Sequence, residues 1–215
     1  MPDRYEAYAR LAPAYLVIAS AAPLLVLANF SIGARLIPLL FSFVFAPILA
    51  GWVRRKGKQI ETAVWAGGLP AEAILRATPH YRQRVGALLE IAPDDLGGVA
   101  ISREAVARLR EMTRDRARFP VVFSENSTYG FERNLLGMRP LGIVVTTLAL
   151  FLALGALIAG RFGLVEVTLQ QAVLVLVLQV LVGACWLAWP SKERVIQAAN
   201  QYAHALLKAA VAELP

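Results

Sequence analysis

"LGIVVTTLALFLALGALIAG" occupies Leu141–Gly160 and holds no Asp, Glu, Lys or Arg. A hydrocarbon core of about 30 Å takes roughly 20 helical residues to cross. Backbone N–H and C=O groups find no water there, so they must bond within the segment, which selects a helix. The run therefore predicts a membrane span. Composition agrees, because 58% of the 215 residues are hydrophobic, more than soluble domains carry.

Working outward, three more stretches lack acids and bases: Leu11–Asn29, Leu36–Val53 and Gln171–Trp189. Ala19-Ser20-Ala21 resembles a cleavage site, but apolar sequence continues through Leu27, so the first stretch reads as a retained anchor. The expected fold is an all-α membrane protein with four transmembrane helices in two hairpins. Residues 1–53 form the first hairpin (spans 11–29 and 36–53), closed by the turn Phe30–Arg35. Residues 140–189 form the second (spans 141–160 and 171–189), closed by the loop Arg161–Gln170. A small helical domain, 54–139, lies between them, and 190–215 is an amphipathic tail helix.

Charge sets the expected orientation. Of the Lys and Arg residues, the two short loops hold Arg35 and Arg161 alone, whereas Arg54, Arg55, Lys56 and Lys58 follow the second stretch at once. Positive residues near span ends stay cytoplasmic. Both termini and residues 54–139 are therefore expected in the cytoplasm, with Trp52, Trp186 and Trp189 at the interface. The same bias accounts for the net charge of +7, and direct DNA binding is not expected.

In the central segment Thr78-Pro79 offers a helix start, with Tyr81, Val85 and Leu88 on one face. Ser102 reads as the next cap, followed by the stripe Val106, Leu109 and Met112 and the i,i+4 pair Glu104–Arg108. A third helix is expected to end at Gly137, and Phe119–Phe123 has the composition of a short strand. In the tail, Val195, Ala199, Tyr202, Leu206 and Ala210 form a stripe that suits packing on this domain or lying on lipid.

The residues do not assemble a catalytic set. His80 and His204 have no metal spacing, Gly67-Gly68 lacks the residues of a phosphate loop, and Cys185 sits in an apolar run without a base. No enzyme activity, metal or cofactor is expected. The basic run Arg108, Arg110, Arg114, Arg116 and Arg118, with Arg103 before it, is either a solvated face beside anionic lipid or a site for a nucleotide, another anion or an acidic partner. Within the spans Gln179 is the central polar group, suited to bonding between helices or to lining a pore. The steps Ala149/Ala153 and Ala156/Gly160 permit close helix contact and predict a homo-oligomer.

Just before Leu141 runs ENSTYGFERNLLGMRP, Glu125–Pro140, a polar segment at a membrane entrance. Tyr129, Phe131, Arg133, Asn134, Gly137 and Pro140 are candidates for coupling the helical domain to the span. The run Tyr129–Gly137, together with Tyr8-Ala9-Arg10-Leu11-Ala12-Pro13, resembles small four-span bacterial membrane proteins of genomic-island and anti-phage defence loci. The resemblance covers the layout and these two patches. It implies a protein of the bacterial inner membrane that senses or perturbs the membrane, with a cytosolic protein partner. Two functions follow as expectations: a sensor or pore-type effector controlled by its cytoplasmic domain, or a passive oligomeric anchor that recruits a soluble effector.

Overall fold

The computed structural model describes residue 5, residues 7–27 and residues 32–212, and for 32–43 the backbone helix alone. Every regular element among the described residues is helical. They are α1 (Ala12–Ala19), α2 (Ile32–Val64), α3 (Pro70–Ala77), α4 (Pro79–Leu89), α5 (Val99–Met112), α6 (Pro120–Arg161), α7 (Leu169–Ala188) and α8 (Lys192–Ala212). Phe119–Phe123 is not a strand: Phe119 precedes α6 and Pro120 opens it. Asp115 Oδ1 accepts from the Ala117 N–H at 2.9 Å, which turns the chain just ahead of that start.

The chain divides into two compact units, Met1–Ile60 with Arg133–Ser191, and Glu61–Glu132 with Lys192–Pro215. Among the described residues, α6 and α7 are the two helices long and apolar enough to cross a membrane, with 22% of the most apolar window of each buried. A core helix of a soluble protein would be mostly covered. Here Leu148, Phe151, Leu152, Ile158, Val180 and Leu181 are each more than half exposed. The inner stripe is small on α6, with Thr146, Ala149 and Ala153, and runs Ala172, Val175, Gln179 and Trp186 on α7. A Cβ on Gly142 would collide with the Trp186 ring, so glycine there admits the indole. Thr168 and Gln171 cap α7 reciprocally, Thr168 Oγ accepting from the Gln171 N–H at 3.2 Å.

The first apolar stretch is not one spanning helix. A wide π-type turn, Ala7–Leu11, leads into α1, which stops at Ala19, and a 3₁₀ segment Ala22–Val26 follows. Ser20 Oγ donates back to the Leu16 carbonyl at 2.9 Å, a local bond that competes with helix continuation. It also accepts from Trp186 Nε1 at 2.7 Å, and Pro23 removes a further donor. Of the expected turn Phe30–Arg35, residues 30 and 31 lie outside the described residues, and α2 already includes 32–35. The second stretch, Leu36–Val53, falls inside the 33 residues of α2.

Gly137 does not end a helix. The backbone stays helical through Gly137 and Pro140 to Arg161, 42 residues or about 63 Å. Gly137 instead marks a close crossing: a Cβ there would lie 2.9 Å from the Lys56 carbonyl carbon and 3.0 Å from the Gly57 nitrogen. Opposite it, a Cβ on Gly57 would strike the Asn134 side chain. Asn134, 1% exposed, donates from Nδ2 to the Ala9 carbonyl at 2.6 Å. Arg139 Nη2 donates to the Leu187 carbonyl at 2.8 Å, satisfying a carbonyl near the end of α7.

In the second unit, α8 packs on α3, α4 and α5. Its buried residues include Val195, Ala199, Tyr202, Leu206 and Ala210, the stripe read from sequence. Arg194 grips the buried Glu132 with both ends of its fork, Nη2 to Oε1 at 2.7 Å and Nε to Oε2 at 3.1 Å. Ser102 is not a cap. The helix α5 starts earlier, after Gly98, and Ser102 lies buried inside it, donating to the Val99 carbonyl and accepting from Arg76. Thr78 does precede α4, though without a side-chain cap bond, and Met112 is 39% exposed rather than part of the covered stripe.

Asn134→Ala should lower stability by about 1–3 kcal/mol, because it strands the buried Ala9 carbonyl and leaves space beside Gly57. Thermal unfolding of the purified protein in mild detergent measures this. An unchanged midpoint would remove Asn134 from that structural role.

Candidate functional site

The end of α2 and the loop Trp65–Leu69 meet α3 and α5 around a groove of about 390 Å³ within the second unit. Its shape comes from one backbone position. Gly68 has φ +106°, open to glycine and strained for other residues. A Cβ there would also sit 2.5 Å from Glu72 Oε2. Pro70 then sets the first turn of α3, where an acid is favoured by the helix dipole, and places Glu72 in that turn.

Charged and polar groups converge on this groove. Glu72 is 4% exposed, and its Oε2 has no hydrogen-bond partner among the described residues. Arg103 Nε lies 3.6 Å from it, near enough to attract and too far to bond. Arg103 itself is largely in solvent, which weakens the pair further. Trp65 Nε1 and Arg110 Nε are buried donors that also lack a hydrogen-bond partner among the described residues. Val106 supplies an apolar wall. The groove thus offers one buried acceptor, two buried donors and an exposed cation.

Arg110 faces a second neighbour. Its guanidinium carbon lies 5.8 Å from the centre of the Tyr202 ring, on α8. Tyr202 stacks on Tyr129 of α6, centroids 6.3 Å apart and planes 7° from parallel. Both rings are buried. The groove is therefore two side chains away from Tyr129, through cation–π and aromatic contacts.

The five arginines of the basic run have different neighbours. Arg108 pairs with Glu104 at 2.6 Å, the i,i+4 pair read from sequence, and Arg114 pairs with Glu111 at 3.2 Å. Arg116 lies over Phe123 and Arg118 over Phe119, at 4.3 and 5.2 Å. Of the five, Arg110 lines the groove, joined there by Arg103.

The coupling segment is spread along α6. Tyr129, Phe131, Asn134 and Gly137 are buried, Arg133 is half-buried with Nη2 3.5 Å from Asn134 Oδ1, and Pro140 is exposed. Ala149 and Ala153 are covered within this chain, so that step serves packing between its own helices. Ala156 and Gly160 are half-buried. Gln179 is 1% exposed inside the chain, not on an open face, and neither amide atom has a hydrogen-bond partner among the described residues. Cys185 is exposed on α7 rather than packed.

A second groove, about 320 Å³, lies in the first unit beside Leu16, Leu178, Cys185 and Trp186. Two of its polar atoms, Ser20 Oγ and Trp186 Nε1, bond to each other. Sequence reading missed Trp65, Gly68 and Glu72. One signal was present: Glu72 stands among Ala71 and Leu75 on the covered face of α3, an acid where the helical period calls for an apolar residue. Comparison with protein families, with curated proteins and with solved structures finds no match in any of the three.

Gly68→Ala should destabilise the chain by about 1–3 kcal/mol, since alanine must adopt a left-handed backbone and displace the Glu72 carboxylate. Gly67→Ala, where an added Cβ meets nothing within 4 Å, is the control. Equal unfolding midpoints for the two variants would argue against the constraint.

Proposed function

We propose that this chain is an integral protein of a bacterial inner membrane, and that its helical unit senses a signal on behalf of its membrane segments. Four apolar stretches cross the bilayer in this reading, both termini and the helical unit face the cytoplasm, and several copies assemble. The supporting observation is α6. One unbroken helix carries Tyr129, stacked on Tyr202 beside the groove, and then the apolar run Leu141–Gly160. A signal bound in the groove has a route to Arg110, Tyr202 and Tyr129, and so to a helix that perturbs the membrane or opens a path through an oligomer. The resemblance to defence-locus proteins agrees with such an effector and implies a cytosolic partner.

The exposed apolar sides of α6 and α7 support the membrane part. Interior charge is expensive in lipid, and Leu141–Gly160 and Gln171–Trp189 carry none. Topology is tested with cysteines in a Cys185→Ala background. One placed at Phe162 should react with a membrane-impermeant thiol reagent in intact cells, and one placed at Arg84 should not. The reverse pattern would overturn the orientation.

The sensing part is tested by overproduction with dye entry and membrane depolarisation as readouts. Tyr202→Leu should cut leakage severalfold while the protein accumulates and inserts normally. Full leakage in that variant would sink the relay. No leakage from the unaltered chain, with stable capture of a soluble protein, would replace the effector by the anchor.

A further inference from the structure

We infer that the groove binds a small zwitterion, a molecule carrying one ammonium group and one oxyanion such as a carboxylate. This rests on the groove being the sensing site and names the chemistry it recognises. Buried polar atoms are almost always partnered, and each exception asks for a reason. Three exceptions line this one groove: Trp65 Nε1, Arg110 Nε and Glu72 Oε2. Their polarities differ. Two are donors, one of them cationic, and the third is a carboxylate oxygen.

A simple anion satisfies the donors but is repelled by Glu72. A simple amine satisfies Glu72 but meets Arg103 and Arg110. A ligand with both charges satisfies all three. Its ammonium donates to Glu72 Oε2 and its oxyanion accepts from Trp65 Nε1 and Arg110 Nε. The residues are spaced for two ends. Arg103, beside Glu72, precedes Arg110 by seven positions, two turns or about 10 Å along one face of α5. The acidic end of the groove is thus set apart from the Arg110 end. The exposed Arg103 gives up its long 3.6 Å approach to Glu72 at small cost. The volume, about 390 Å³, lies at the low end for small-molecule sites and excludes a folded partner from the interior.

Binding would also act on Tyr202. The Arg110 guanidinium now stands 5.8 Å from that ring, and an oxyanion drawn to Arg110 competes for the same cation. Occupancy and the Tyr202–Tyr129 stack are therefore linked through one side chain.

The test uses purified full-length protein in nanodiscs, with free amino acids as probes: glycine, alanine, serine, glutamate, lysine and γ-aminobutyrate. O-phosphoethanolamine tests phosphate in place of carboxylate. At least one probe should raise the unfolding midpoint and change Trp fluorescence in the unaltered protein, and the fluorescence change should vanish in Trp65→Phe. For the probe that binds, capping either charge, as the primary amide or the N-acetyl form, should weaken binding at least about tenfold. Glu72→Gln should do the same toward the ammonium, while keeping affinity for the N-acetyl form. That retained affinity separates lost recognition from lost folding. The proposal is overturned if no probe binds at millimolar concentration, or if the capped forms bind as well as the parent. Failure here with Tyr202-dependent leakage intact removes the ligand class and leaves the sensor. Zwitterion binding without any effect on leakage removes the sensor and leaves the site.

Discussion

A single carboxamide fixes how the amino-terminal turn meets α6 in the first unit. Asn134 reaches the carbonyl of Ala9 across 125 residues of chain, and it can do so because Gly57 has no side chain in its way. Gly137, three residues further along α6, approaches the α2 backbone in the same manner. Two glycines on two helices thus allow a crossing in which backbone meets backbone. The amide then fixes the amino-terminal turn against it. A buried amide bond is worth about 1 kcal/mol net, but stranding either partner costs more. The residue therefore specifies one arrangement rather than adding much attraction.

The same logic separates what the sequence makes legible from what it does not. The last two apolar stretches are read correctly as helices because uniform apolarity over about 20 residues leaves the backbone no alternative. The tail stripe from Val195 to Ala210 is equally plain, since it rests on the helical period. Misreadings fall on residues with two physical uses. Gly137 is both a good helix terminator and a good crossing point, and the deciding partner, Lys56–Gly57, lies eighty residues upstream. Ser102 is both a cap and an internal helix residue bonding back to Val99. Ser20 breaks an apolar run because Trp186, far along the chain, needs an acceptor there. Local sequence cannot choose among these uses, because the choice is made by a distant neighbour.

The groove illustrates the same limit from the other side. The arginine run stands out as a cluster of charge, yet most of its members spend themselves on local acids and aromatic rings. Such exposed pairs contribute little. The informative charge is the isolated one, Glu72, set in an apolar face. A buried carboxylate is expensive without a partner, and the approach of Arg103 at 3.6 Å is a weak one. Small residues divide in a similar way. Ala149 and Ala153 are buried within one chain, while Leu148, Phe151, Val180 and Leu181 of α6 and α7 are exposed. Large outside and small inside reverses the order expected for a helix pair in water, where burying the bulky side chains gives the greater gain.

The strength of the proposed relay can be bounded. A cation–π contact such as Arg110 over Tyr202 contributes about 0.5–2 kcal/mol, rising with desolvation. A ligand that withdraws Arg110 can change the balance between two arrangements of the Tyr202–Tyr129 stack by no more than that. This corresponds to a shift of about 2-fold to 30-fold, which overlaps the lower part of the roughly 5-fold to 150-fold range typical of allosteric couplings. Moving a population from one extreme to the other takes about 5.5 kcal/mol of differential binding. One groove in one chain can therefore bias the membrane helix but cannot lock it. Full switching by this route requires the contributions of several grooves to add, which ties the sensor reading to assembly: a monomer would respond in a graded way, and an oligomer with shared helix contacts would respond steeply.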